Sequence, residues 1–266
     1  MKLNLKKIVS VGVTAAAVLL LAACGNSNKK SEGFRDELAQ NDTLTIGLEG
    51  TYAPYSYRKD GKLTGFEVEL GKKIAAKLNL NADVVPTKWD SIIAGVGSGK
   101  FDVAINNITP TQQRKQSYIF SKPYLYTRYA LISRAGSNFS SLSDVKGKKL
   151  AEGTGTDNLT VAKKAGATIV PQGEFATTLQ MIRQKQVDAS INATTSWYAY
   201  KKDNATDGLQ MKTIPDSEQA PAKAAVLINK ENTKLQKQVN SALASLRKSG
   251  ELKKLSIKYF GADLTK

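Results

Sequence analysis

An α/β fold of two similar lobes is what this sequence predicts, on three observations. From Thr43 onward, strand-like and helix-like patterns alternate, and the alternation runs twice. The two runs end alike: Asp102-Val103-Ala104-Ile105-Asn106 matches Asp188-Ala189-Ser190-Ile191-Asn192, each after a helix pattern and a basic turn at Lys100 or Lys185. The stretch 42–266, about 225 residues, leaves room for two lobes of roughly 100 to 150 residues each.

The elements follow in order. Leu44, Ile46 and Leu48 alternate as a strand does, and Lys59-Asp60-Gly61-Lys62 is a turn. Phe66, Leu70, Ile74 and Leu78 form a helical stripe. A short strand is expected over 82–85. Asp90 is placed to cap a helix through Ile92, Ile93 and Val96, which Gly97 and Gly99 end. The next strand covers 101–106. The second run repeats the plan: strand 149–152, loop 153–156, helix 157–165 stopped by Gly166, strand 168–170, a helix marked by Phe175, Leu179 and Ile182, then strand 187–192. A strand over 224–228 follows. Leu235, Val239, Leu243 and Leu246 mark a helix ended by Gly250, and Leu252, Leu255, Tyr259 and Phe260 a last short one.

The N-terminus carries its own message. Lys2, Lys6 and Lys7 precede an uncharged run, 8–23, that ends in Leu21-Ala22-Ala23 before Cys24, the single cysteine of the chain. A basic start, an apolar core and small residues before a cut point make an export signal. Cysteine directly after Leu-Ala-Ala resembles the lipobox of bacterial lipoproteins, which implies a lipid on Cys24. The competing reading is a membrane-spanning anchor, but the run is short of the ~20 residues that one needs. Residues 25–41 are polar and small and read as a flexible spacer. With its cysteine committed to lipid, the exported chain must take its stability from a core, without disulfides.

Composition narrows the function classes. The net charge is +16; without Lys2, Lys6 and Lys7, 36 basic residues face 23 acidic ones, a net +13. Such a surface draws anions. The lysines are spread along the chain and no nucleic-acid motif appears, so a solvated basic surface is the expectation and nucleic acid is not an expected partner. Histidine is absent, which excludes His-based triads, His metal ligands and His proton relays. No metal site and no cofactor are expected, and the chain leans to binding, not to enzymatic catalysis.

In open α/β sheets, ligands bind beyond the carboxyl ends of the strands. Those positions hold Glu49 to Tyr55, then Trp89-Asp90, then Asn107-Ile108-Thr109-Pro110 with Arg114 beyond, then Gly153-Thr154-Gly155-Thr156, and finally Asn192-Ala193-Thr194-Thr195. Together they predict a cleft with aromatic walls, an arginine, a Gly/Thr loop at a helix start and a carboxylate. Each has a plainer reading: a solvated Arg114 or Glu49, a simple turn at 153–156, core packing for Trp89.

Two stretches, GLEGTYAPYSYRKDGKLTGFEVELGKKIA and WDSIIAGVGSGKFDVAINNITPTQQRKQSYIFSKPY, resemble the extracellular solute-binding proteins, family 3, which serve polar amino-acid ABC importers. The likeness runs from about Thr43 to Lys266. SGELKKLSIKYFGADLTK and GTGTDN are most similar to the cystine-binding branch. The resemblance implies a periplasmic-binding-protein type II fold: two α/β lobes joined by two crossover strands, closing on an amino acid, cystine first. It implies a signal peptide over 1–23, a lipid-anchored linker over 24–41, a first lobe from 42–128 and 226–266, and a second lobe from 129–225. The implied partners are an ABC permease and its ATPase, with the monomer held on the outer face of the cytoplasmic membrane.

The same resemblance assigns roles. Arg114 grips the ligand α-carboxylate, for which a guanidinium has matching parallel donors. Thr109 meets that carboxylate as well. Gly155 and Thr156 form the second-lobe helix start, where free N–H groups take anions. Tyr52 and Trp89 are aromatic walls, Glu49 meets ligand side chains, and Asn107 and Asn192 complete the expected contacts. One position departs from the family pattern: Ala193 stands where an aspartate accepts the ligand ammonium. Glu49, Asn192, Thr194 or Asp157 are the candidate replacements. The alternative functions are a basic surface adhesin for mucus, collagen or other matrix, and an enzyme with Glu49 as general acid.

Overall fold

Two five-stranded sheets organise the protein. The computed structural model describes residues 33–266; the expected signal peptide, Cys24 and the expected spacer up to residue 32 lie outside them. The first sheet runs, in spatial order, Asn81–Pro86, Thr43–Leu48, Val103–Ala104, Leu227–Asn229, Tyr118–Phe120. Its first three strands are parallel, in register Ile46 with Val103, and Leu227–Asn229 joins antiparallel. The second sheet runs Thr168–Pro171, Lys149–Glu152, Ala189–Ala193, Tyr129–Arg134, Leu209–Thr213. Leu150 is in register with Ala189 there, and the last two strands add antiparallel. The chain passes from one lobe to the other along Leu125–Thr127 and returns along Ala222–Ala224, and these two pair antiparallel.

The matching five-residue segments do the same work in both lobes. Asp102 accepts from the Thr45 backbone N–H at 2.7 Å, and Asp188 accepts from that of Lys149 at 2.9 Å. Each aspartate ties the start of its strand to the parallel neighbour. Two strands farther in the chain escape a βαβ pattern. Tyr129–Arg134 is buried along nearly its whole length, and Leu209–Thr213 lies at the sheet edge beyond it.

Helix stripes pack as their spacing predicts. Phe66, Leu70 and Ile74 from helix Phe66–Lys77 meet Leu235, Val239, Leu243 and Leu246 from helix Thr233–Lys248 over one face of the first sheet. A fully buried side chain of this size contributes roughly 1.5–3 kcal/mol. On the other face Phe101 fills the space under helix Trp89–Gly97. Glycine is required there: a Cβ at Gly47 or Gly95 would stand 2.7 or 2.5 Å from the Phe101 ring.

Some local expectations change. Helix Trp89–Gly97 has Lys88, not Asp90, at its N-cap, and Asp90 lies in its first turn. The strand expected over 101–106 pairs as a strand only over Val103–Ala104. Within the spacer expected over 24–41, a 3-10 helix spans Phe34–Glu37. The reason lies in tertiary contacts. The Glu37 carboxylate accepts from the backbone N–H groups of Lys234 and Leu235, at 3.2 and 2.7 Å, in the first turn of helix Thr233–Lys248, where N–H groups have no partner within the helix. Ala39 donates its N–H to Asp102 at 2.6 Å.

Candidate functional site

The strand ends of both lobes face one cavity. Of the residues expected from the sequence, Glu49, Tyr52, Trp89, Asn107, Thr156 and Asn192 line it. Asn106, Glu152 and Asp157 line it too. Thr109, Arg114 and Gly155 do not; they form a hydrogen-bonded group joined to Asp157.

That group bridges the lobes. Arg114, 8% exposed, donates to Thr109 O and Gly155 O, each at 2.8 Å. Its guanidinium carbon sits 5.5 Å from the Trp89 ring centroid. Thr109 Oγ1 and Tyr129 OH donate to Asp157 at 2.7 and 2.6 Å. Two of the five guanidinium donors are therefore used by carbonyls, one on each lobe. Burial lowers the Arg114 pKa and the Asp157 carboxylate opposes that shift.

Further bonds cross the cleft. Trp89 Nε1 donates to Thr154 O at 2.8 Å, Tyr52 OH donates to Asn192 Oδ1 at 2.7 Å, and Tyr55 OH meets Thr195 Oγ1 at 2.5 Å. Tyr52 and Tyr55 stack with ring centroids 5.0 Å apart. Thr156 caps helix Asp157–Lys164 by accepting from the Leu159 N–H at 3.1 Å. Tyr52 and the helix-capping Thr156 line the cavity from opposite lobes.

The cavity is acidic. Glu49 is held by Asn106, whose Nδ2 donates to it at 2.8 Å; burial raises its pKa, and nearby Glu174 and Asp90 add to the rise. Glu152 is 2% exposed, and burial pushes its pKa well up. Behind the 106–109 loop, Glu67 accepts from the Asn107 N–H at 2.6 Å and from Tyr124 OH. Burial raises the Glu67 pKa to about 7. Among the described residues no cluster of His, Cys, Asp and Glu is arranged to hold a metal ion.

The family model for bacterial extracellular solute-binding proteins, family 3, matches residues 44–262. The chain belongs to that family. It is 35% identical over 256 residues to the L-cystine-binding protein TcyJ of Escherichia coli (strain K12), covering 94% of each chain. Among solved structures, it is 35% identical to the L-cystine solute receptor of Neisseria gonorrhoeae in the unliganded open conformation, over 86% of this chain and 97% of that one, at a TM-score of 0.59. An ancestral arginine-binding protein bound to arginine is 31% identical, over 83% of this chain and 99% of that one, at 0.75. The TM-score is thus higher against the arginine-bound structure than against the unliganded open one. A solute-binding family agrees with the composition, which points to binding and away from catalysis.

Asn106, Glu152 and Glu67 escaped the sequence reading. Asn106 was within reach, since it occupies the place of Asn192 in the five-residue match. Glu152 left one signal, a carboxylate closing the apolar pair Leu150-Ala151. Thr194, a candidate ammonium acceptor, does not line the cavity.

Proposed function

We propose that this chain is the substrate-binding component of an amino-acid ABC importer and that L-cystine is its solute. The observation that carries this is a cavity walled by both lobes, with Glu49 and Trp89 on one side and Glu152 and Thr156 on the other. A solute that touches both walls is bound tightly only when the lobes are together, so its differential affinity drives their closure. The permease partner then distinguishes loaded from unloaded protein. Support for cystine comes from the relatives in Escherichia coli and Neisseria gonorrhoeae, both named for it. A monomer suffices, since one chain supplies both walls. The comparisons support solute capture and do not support the adhesin alternative.

Binding of L-cystine is expected to raise the melting temperature. At a hundred times the Kd it adds about 2.7 kcal/mol, roughly 5–10 °C for a chain of this size. A thermal-shift screen of free amino acids checks this. A shift with another polar amino acid but not with L-cystine reassigns the solute; no shift with any overturns the reading.

The proposed position is the outer face of the cytoplasmic membrane, through a lipid on Cys24. No helix of the described residues is long and apolar enough to cross a membrane. Cys24→Ala is expected to release the protein to the medium or leave an uncut precursor. Fractionation that finds the mature variant still in the membrane would overturn the anchor.

A further inference from the structure

Glu152 stands where the internal match of the two lobes calls for an apolar residue. Ile46 is in register with Val103, and Leu150 with Ala189. That correspondence places Leu48, fully buried, opposite Glu152, and Glu49 opposite Gly153. Each lobe therefore sends one carboxylate into the cavity from the end of the same strand, one residue apart.

The bonding of Glu152 marks it as unusual. In the first lobe the Ile105 N–H donates to Gly47 O at 3.1 Å. In the second, the matching Ile191 N–H donates to Glu152 Oε1 at 2.6 Å, and Ser190 Oγ reaches the same oxygen at 3.4 Å. Among the described residues both donors meet Oε1, and the neighbours that act on this carboxylate include no lysine or arginine. A buried carboxylate without a cation is costly, and a cation brought to it is correspondingly favoured. Asp157, on the same cavity, differs in having the Arg114 guanidinium near it as well as two hydroxyl donors on Oδ2.

We propose that Glu152 is a ligand-contacting residue that receives a cationic nitrogen of the solute, and that with Glu49 on the opposite lobe it selects solutes carrying two cationic nitrogens. L-cystine, with two ammonium groups, is one such solute, and L-lysine and L-arginine are others. The proposal rests on the solute-binding reading and narrows its substrate class.

Calorimetry of wild type and Glu152→Gln with L-cystine, L-lysine, L-arginine and L-glutamine tests it. Wild type should bind at least one of the first three more tightly than L-glutamine, which has a single cationic nitrogen. Glu152→Gln should weaken that binding at least tenfold, the scale of about one lost charge-assisted hydrogen bond. The ligand-free melting temperature of the variant should stay level or rise, because the amide oxygen can still accept from Ile191 and the cost of burying an ionisable carboxyl group is gone. A loss under tenfold, a lowered ligand-free melting temperature, or wild-type affinity for L-glutamine equal to the others overturns the proposal and leaves solute binding standing. Wild type that binds none of the four overturns both.

Discussion

Arg114→Ala is expected to lower solute affinity by about 30-fold or more, a cost on the order of 2–5 kcal/mol for leaving a desolvated carboxylate without its partner. The structure adds a second reason. Arg114 links Thr109 O on one lobe to Gly155 O on the other, and it stacks on Trp89. The variant loses the expected carboxylate grip and a tie between the lobes together. Two ligands separate these effects in calorimetry. If Arg114 holds the carboxylate, wild type should prefer the free amino acid to its carboxamide, and the variant should lose that preference. A variant that is weaker for both in equal measure would leave Arg114 as an interlobe tie only. Arg114→Lys should recover little, since an ammonium cannot reproduce the planar fork.

Between pH 5 and pH 8 the ligand-free protein is expected to lose stability, and Glu67 is expected to account for much of the loss. Its folded pKa of about 7 lies above the ordinary value of 4.5, because burial disfavours the carboxylate. The folded state therefore holds the proton more tightly than the unfolded state. The stabilisation is complete below about pH 4.5 and fades as the pH rises through 7. A shift of this size corresponds to roughly 3 kcal/mol, on the order of 5–10 °C in melting temperature. Burial raises Glu49 and Glu152 as well, so they act in the same direction. Calorimetric melting at four pH values should show a smaller fall for Glu67→Gln than for wild type. An unchanged slope would remove Glu67 as the cause.

The sequence carried most of the parallel α/β core. The stripe of Phe66, Leu70 and Ile74 is buried as its spacing predicts, and the five-residue match marks equivalent strands that each lobe pins through an aspartate. Those signals are local periodicities, and the backbone enforces them within a few residues. The strands Tyr129–Arg134 and Leu209–Thr213 were not legible. Their pairing joins residues far apart in the chain, and no local turn signal announces it. The 3-10 helix Phe34–Glu37 was hidden for the same reason, because Glu37 and Ala39 find their partners on a distant helix and at Asp102.

By itself, the sequence determined the family, the two-lobed α/β class and a list of strand-end residues, because these follow from pattern and order along the chain. The tertiary structure decided which of those residues share a cavity. It put Asn106 and Glu152 on the wall and turned Nη1 and Nη2 of Arg114 toward two carbonyls. Glu152 shows the physical difference. Its place at a strand end is local and readable, but its consequence comes from burial and from the lack of a cation nearby. Both are properties of the packed lobes, and no residue in a one-dimensional sequence carries them alone.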